Sequence, residues 1–155
     1  MKVVRVYVDT SVFGGCFDRA FSAESRRFFE LARSGQIHLL VSAVVIRELS
    51  LAPAEVRGVL ESLPQKHLHA VEVTQTVLEL RDAYLEAGIV GPRSIDDATH
   101  VAAATVARAD AIVSWNFRHI VRLDKMRAYN QVNLTHGHGL LSIVSPQEVR
   151  FDDPG

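Results

Sequence analysis

Short apolar segments alternate along the chain with longer segments in which apolar residues recur at helical spacing. This pattern predicts alternating strands and helices. The segment 2–8 is nearly continuous in β-branched and aromatic residues, which is typical of a strand buried in a parallel sheet. Shorter segments of the same kind predict four more strands, at 37–42, 68–73, 111–114 and 140–144.

Between the strands, apolar residues recur with helical spacing. We expect helices at 22–34, from Ala43 to Pro53, from there to about Leu63, at 74–87, and from Ser94 to about Arg108. Ser22 and Ser42 are suitable N-terminal caps, and Gly35 and Gly88 follow the predicted ends of two helices. Strands that alternate with helices predict an α/β fold, a three-layer α/β/α sandwich around a mainly parallel central sheet.

The length and composition are those of one globular domain. The chain has 155 residues, of which 48% are hydrophobic and 23% charged, and no linker or repeat divides it, so we predict a single domain over 1–155. Cys16 is the only cysteine, which excludes an internal disulfide. No apolar stretch approaches the roughly 20 residues that span a bilayer, and the N-terminus lacks the layout of a signal peptide. We therefore expect a cytoplasmic protein.

The net charge argues mildly against a tight binder of nucleic acid. Proteins that hold nucleic acid by neutralising many phosphates usually carry a basic excess, whereas this chain has a formal net charge of −1. An enzyme that contacts a few phosphates and gains its remaining positive charge from a bound metal stays compatible with this balance.

Asp9 stands at the end of the first predicted strand, directly before Thr10 and Ser11. Because ligands of open α/β sheets bind beyond the carboxyl ends of the strands, a carboxylate here is expected to face the ligand crevice. An aspartate in this position is also a common turn residue or helix cap. Both interpretations stay open.

Glu48 lies on the apolar side of the helix that follows the second strand. Val44 and Val45 precede it by one turn, and Leu51 and Ala52 follow it by one turn. A glutamate on such a stripe needs a cation, either a metal ion or a side chain such as Arg47, unless it reaches water at the edge of the helix.

Asp97 opens the alanine-rich helix and shares a stripe with Val101 and Ala104. The spacing from Ser94 to Asp97 also matches a capping box, and acids in a first turn complement the helix dipole, which could be the whole role of Asp96. His100 follows both acids by one turn. It could orient a carboxylate, but we favour an ordinary surface histidine.

Ser114 and Asn116 follow the fourth strand, at the same predicted sheet edge as Asp9. Asn116 can offer an oxygen to a metal or simply shape a turn. The residues after it form the one local basic concentration, which is either a solvated helix face or a phosphate contact. Its members are Arg118, His119, Arg122, Lys125 and Arg127.

The order and spacing of these features resemble the PIN domain. The matching segments are VYVDTSVF around Asp9, VSAVVIREL around Glu48, DDATHVAAA around Asp97 and IVSWNFRHI around Asn116. The downstream segment AYNQVNLTHGHGLLSIVSPQEV also looks like the C-terminal part of a PIN subfamily that carries the SWNFRHI signature. The resemblance therefore covers nearly the whole chain.

This resemblance implies a ribonuclease that depends on Mg²⁺ or Mn²⁺, of the kind found as VapC-type toxins paired with an antitoxin, and a homodimer. It implies that Asp9, Glu48 and Asp97 bind the metal. The implied catalytic set is Asp9, Glu48, Asp97 and Asn116, with Ser114, Asp96 and Thr10 as auxiliary residues and Arg118, His119 and Arg122 as contacts to the RNA substrate.

Asn116 departs from the pattern, because many PIN domains carry a fourth acid at this position. The missing negative charge should weaken a second metal site most, so we expect one tightly held ion and a weak or substrate-borne second ion. The alternative is a catalytically weak or inactive PIN-like module that binds RNA or a protein partner.

Overall fold

The five predicted strands form one sheet in the computed structural model, which describes residues 2–151. All strand pairs are parallel, in the order β3-β2-β1-β4-β5. The strands are β1 (Val4–Val8), β2 (Ile37–Ser42), β3 (Leu68–Val71), β4 (Ala111–Val113) and β5 (Ser142–Val144). The prediction of a mainly parallel sheet is confirmed.

Helices cover both faces of this sheet, which makes the fold the predicted three-layer α/β/α sandwich. The helices α5, α6 and α7 pack together, and α1 packs against α2 and α4. The seven helices within residues 2–151 are α1 (Thr10–Gly15), α2 (Ser22–Arg33), α3 (Ala43–Ser50), α4 (Ala54–Glu61), α5 (Gln75–Glu86), α6 (Ile95–Val106) and α7 (Leu123–Thr135). No helix in that range is long and apolar enough to cross a membrane.

Strand β1 lies at the centre of the sheet. Its residues Val6, Tyr7 and Val8 are buried, as the continuous apolar run predicts for a strand covered on both faces. It pairs with β2 on one side and with β4 on the other, and the strand order reverses between β1 and β4. Such a reversal opens a crevice at the carboxyl ends of the two strands.

Helix α6 approaches the sheet closely because its side chains are small. All residues from 98 to 105 are buried, and the helix packs against β2, β4 and α5. A helix buried on several sides also buries His100, whose exposed fraction is 2%. The expectation of a surface histidine is wrong for this reason.

Helix ends follow the predicted signals in some places and not in others. The Ser42 hydroxyl accepts from the Val45 amide, and Gly35 and Gly88 adopt positive φ after their helices. Neither Ser22 nor Ser94 makes a side-chain cap, so the predicted capping box at Ser94 is absent.

Candidate active site

Asp9 directly follows β1 and caps helix α1. Its Oδ1 accepts from the amide of Ser11 at 3.1 Å and from the Ser11 hydroxyl at 2.6 Å, and its Oδ2 accepts from the Ser114 hydroxyl at 2.6 Å. Only 4% of Asp9 is exposed. Asp9 is thus a helix cap and, at the same time, a carboxylate at the point where the strand order reverses.

The environment of Asp9 makes its negative charge unfavourable. Burial raises the pKa of Asp9 above its ordinary range, the nearby Asp97 carboxylate adds to this, and His100 and the two serine hydroxyls oppose it. No lysine, arginine or histidine of residues 2–151 forms an ion pair with it. A buried carboxylate that has only neutral donors gains most from a bound cation.

Glu48 is held by a hydrogen-bond chain that begins at Ser42 in β2 and passes through Tyr7 in β1. Its Oε1 accepts from the Thr10 hydroxyl at 2.8 Å and lies 2.7 Å from Nε2 of His100. The other ring nitrogen of His100, Nδ1, is 2.7 Å from the Tyr7 hydroxyl, which is 2.6 Å from the hydroxyl of Ser42. The partner of Glu48 in this structure is therefore a buried histidine.

The charges of Glu48 and His100 stabilise each other. Partial burial alone would raise the pKa of Glu48, but the hydrogen bonds from His100 and Thr10 bring it below its ordinary value. Burial alone would lower the pKa of His100, but Glu48 and the neighbouring acids raise it. Glu48 is therefore ionised and oriented near neutral pH.

The apolar stripe that drew attention to Glu48 is only partly buried. Val44 and Val45 are in the core, whereas Leu51 is 86% exposed. Arg47, the side-chain cation considered for Glu48, pairs instead with Asp96 at 2.9 Å on an exposed surface.

Asp97 lies half-buried in the first turn of α6. Burial raises the pKa of Asp97, and His100, His119 and the side-chain amide of Asn116 partly offset this effect. Like Asp9, it forms no ion pair with another residue in the described part of the chain. The three acids also affect one another. The Asp97 carboxylate raises the pKa of Asp9, and the Glu48 carboxylate raises the pKa of Asp97.

Asn116 shapes the turn that follows β4. Its Oδ1 accepts from the backbone amides of Arg118 at 3.2 Å and His119 at 2.9 Å. The backbone amide of Asn116 donates to the Ser114 hydroxyl at 2.9 Å. The amide oxygen considered as a metal ligand is therefore engaged by the backbone.

The basic residues after Asn116 differ in their partners. Arg122 is exposed and forms a two-point ion pair with Asp124, with nitrogen–oxygen distances of 2.6 and 2.7 Å. Within residues 2–151, neither Arg118 nor His119 is paired with a carboxylate. Arg118 and His119 are thus better placed than Arg122 to meet an anionic ligand.

The three carboxylates provide hard oxygen donors at one edge of the sheet, and this chemistry fits Mg²⁺ or Mn²⁺. Asp9 and Asp97 support that fit, because neither has an ion-pair partner within residues 2–151. Within residues 2–151, however, no three His, Cys, Asp or Glu side chains converge closely enough to enclose an ion as they stand. The carboxylates therefore suit Mg²⁺ or Mn²⁺ by the chemical type and charge of their oxygens, and not by their present distances.

The sequence missed Tyr7 and Ser11 and assigned His100 to the surface. The cross-sheet contact between Tyr7 and His100 depends on which face of α6 meets the sheet, and a helix buried on several sides has no periodicity that reveals it. The Ser11 hydroxyl bond to Asp9 was accessible in principle, because an aspartate followed two residues later by serine is a common turn and cap arrangement.

The fold is similar to that of solved toxins of the VapC type, which confirms the resemblance to the PIN domain at the level of the fold. The chain superposes on VapBC2 from Rickettsia felis, solved bound to a DNA fragment from the promoter, with a TM-score of 0.55 and 14% identity over 92% of this chain and 98% of that one. It also superposes on VapC20 from Mycobacterium tuberculosis, described as a toxin that cleaves the sarcin–ricin loop (TM-score 0.52, 16% identity, 74% of this chain and 92% of that one). For FitAcB from Neisseria gonorrhoeae the TM-score is 0.56, with 12% identity over 93% and 99% of the two chains.

No family model matches the sequence, and no curated protein matches it either. The structural likenesses, all under 25% identity, therefore concern the fold. Membership of the subfamily with the SWNFRHI signature stays a prediction.

Proposed function

We propose that this protein is a metal-dependent endoribonuclease that hydrolyses RNA phosphodiester bonds, and that it is the toxin of a toxin–antitoxin pair. The observation that carries the proposal is the buried, unpaired carboxylate of Asp9 at the reversal of strand order, with Asp97 and Glu48 close enough to perturb one another's charges. The likeness of fold to a toxin described as cleaving an RNA loop supports RNA as the substrate.

Asp9, Glu48 and Asp97 would hold Mg²⁺ or Mn²⁺ in this proposal. When such an ion is bound, it polarises the scissile phosphate and makes the attacking water more acidic. Hydrolysis of this type leaves 5′-phosphate and 3′-hydroxyl ends, as the resemblance to the PIN domain implies.

The protein's own contribution is to orient the carboxylates. Ser11 and Ser114 fix both oxygens of Asp9, while Thr10 and His100 fix Oε1 of Glu48. Within residues 2–151, Oε2 of Glu48 has no hydrogen-bond donor, so that oxygen is available to a ligand. Carboxylates held in this way lose little conformational freedom when a cation or substrate arrives.

Asn116 supports the expectation of one tightly held ion. Its side chain is neutral and its oxygen accepts from two backbone amides, so it offers a second cation neither charge nor a free oxygen in this arrangement. A second ion would then depend on the phosphate of the substrate.

An antitoxin partner and a homodimer belong to the same proposal. FitAcB and VapBC2 support the idea only through likeness of fold. We expect the antitoxin to cover the acidic crevice with a basic side chain such as arginine, and the apolar helices between Pro53 and Ala87 to supply the dimer interface. An empty crevice in a crystallised complex would refute the first expectation.

The direct test compares RNA cleavage by the wild-type chain and by Asp9→Asn in Mn²⁺, in Mg²⁺ and in a chelator. We expect the wild type to cleave a randomised RNA pool only with metal, and Asp9→Asn to lose at least about 100-fold of the rate, because a ligand charge is lost where it orients the metal. Glu30→Gln is a control outside the proposed dimer interface, since Glu30 is an exposed acid paired with Arg33 in helix α2. Equal cleavage by the wild type and Asp9→Asn would show that cleavage does not take place at this site.

The second candidate is a PIN-like module that binds RNA or protein without cleaving. It is favoured by the open arrangement of the acids within residues 2–151 and by the engagement of the Asn116 oxygen. The same assay separates the two, because a binding module would release no products in any metal condition.

A further inference from the structure

Phe117 presents an exposed aromatic ring beside the candidate active site. The residue is 47% exposed, although it follows Asn116 directly and lies three residues after Ser114, which donates to Asp9. Three residues of backbone span at most about 11 Å. The backbone of Phe117 therefore lies within that distance of the serine that binds Asp9.

The turn that carries this ring is fixed by the backbone. The amide of Phe117 donates to the Trp115 carbonyl at 2.9 Å, and the Asn116 carbonyl accepts from Ile120 at 3.2 Å and Val121 at 2.8 Å. The Asn116 side chain closes the same turn from the other side. Phe117 is thus exposed on an ordered segment.

Two further aromatic rings support Phe117 from the protein side. Trp115 meets it edge to face at a centroid distance of 6.0 Å, and Phe21 stacks on Trp115 at 4.2 Å. Trp115 is itself tied to the active site, because its backbone amide donates at 2.9 Å to the Ser11 hydroxyl that binds Asp9. These contacts therefore fix the position of the Phe117 side chain relative to the Asp9 carboxylate.

The surroundings of Phe117 favour an anionic ligand. Arg118 follows it directly, and within residues 2–151 neither Arg118 nor His119 has a carboxylate partner. Phe17 offers a contrast, since this phenylalanine is also exposed but has the Arg26 guanidinium over its ring at 5.5 Å. Phe117 has no such cation over its ring within the described chain.

We propose that Phe117 stacks on an unpaired base of the RNA next to the scissile phosphate, with Arg118 contacting the adjoining phosphate. This inference rests on the proposed nuclease function and names the substrate feature that the site recognises. A net charge of −1 leaves little affinity to be gained from many phosphate contacts, whereas stacking supplies affinity that does not depend on charge.

Binding is measured in the Asp9→Asn background, where cleavage does not interfere. The probes are a randomised single-stranded RNA and a blunt RNA duplex of the same length. Trp115 is the only tryptophan in the chain, so quenching of its fluorescence reports a base that arrives at the neighbouring ring. We expect Phe117→Leu to weaken single-strand binding by about 5- to 100-fold and to abolish the quenching, while Phe117→Tyr retains both.

The controls separate this inference from the proposed function. Phe17→Leu should bind the single strand like its parent, because its ring face is already occupied. Wild-type cleavage with no effect of Phe117→Leu on binding or quenching would overturn the inference alone, as would an equal loss of duplex binding. Unchanged RNA binding together with loss of a protein partner would also overturn it, in favour of a protein-docking role. Absence of metal-dependent cleavage by the wild type would instead count against the nuclease itself.

Discussion

His100 connects the sheet to the candidate metal ligands. It lies between the Tyr7 hydroxyl and the Glu48 carboxylate, at 2.7 Å from each, and is 2% exposed. A buried side chain with two such contacts has little freedom to rotate, so it holds Glu48 in one orientation. We regard His100 as a positioning residue for Glu48.

This role predicts a loss of metal affinity when His100 is replaced. His100→Leu should weaken Mn²⁺ binding by about 10- to 100-fold, because the partners that orient a metal ligand typically contribute that much. His100→Gln should restore part of the affinity, since its amide can still donate to Glu48. Free Mn²⁺ is measured by electron paramagnetic resonance, with the exposed His136→Leu as control. A folded His100→Leu protein that binds Mn²⁺ like the wild type would disprove the role.

At the residue scale, the sequence predicts Asp9, Glu48 and Asp97 as metal ligands from their positions relative to strands and helix faces, and this assignment stays a prediction. It could not identify the partners of these acids. Tyr7 and Ser42 belong to β1 and β2, and His100 belongs to α6, so their contacts exist only once the layers have packed. Local spacing carries no information about such contacts.

Helix α1 shows how an element escapes prediction. It has six residues, two of them glycine, and is too short to display a helical period. Helix α7 escaped for another reason, since only Tyr129 and Asn133 are buried along its thirteen residues and its apolar stripe is weak. Strands β1 and β2 and helix α6 were predicted because each buries a long apolar segment.

The end of α1 contains a glycine that packing requires. A Cβ at Gly15 would lie 2.8 Å from Nε1 of Trp115 and closer still to the Ser25 hydroxyl, which are bonded to each other at 2.8 Å. Gly58 in α4 has no neighbour within 4 Å of the corresponding position. The two glycines therefore form a matched pair.

Alanine substitutions at these glycines should have opposite effects on the free energy of unfolding. Gly15→Ala should destabilise the fold by about 1–3 kcal/mol, because the buried Ser25–Trp115 contact must shift. Gly58→Ala should stabilise it by about 0.5–1 kcal/mol through the lower entropy of the unfolded chain. Chemical denaturation measures both. A neutral Gly15→Ala would mean that helix α1 can move away from Trp115 at no cost.

At the scale of the whole molecule, strand order decides where the site lies. The sequence predicts five strands and a parallel sheet, and the position of β1 between β2 and β4 follows only from the packed structure. This order brings Ser114 to within 2.6 Å of Asp9 although the two are 105 positions apart. The candidate site therefore depends on contacts between segments that are distant in the sequence. The same contacts bring the acids close together, which is electrostatically unfavourable.

That concentration of acids should make the stability of the whole protein depend on metal. Burial raises the pKa of Asp9 and of Asp97. For an acid whose folded pKa is raised, stability falls as pH rises above the unfolded pKa, so at neutral pH both charges disfavour folding. In a chelator, Asp9→Asn should therefore unfold at a higher temperature than the wild type.

Added Mn²⁺ should reverse this order. At about 100 times its dissociation constant, a ligand that binds only the folded state contributes about 2.7 kcal/mol, which corresponds to a rise of about 5–11 °C in Tm for a domain of this size. The wild type should show this rise and Asp9→Asn should show little of it, because a buried ligand charge is missing. Scanning calorimetry of both proteins in chelator and in Mn²⁺ makes the comparison without any knowledge of the RNA target. Equal rises in the two proteins would mean that the ion binds away from Asp9, and the metal site would then have to be sought elsewhere on the fold.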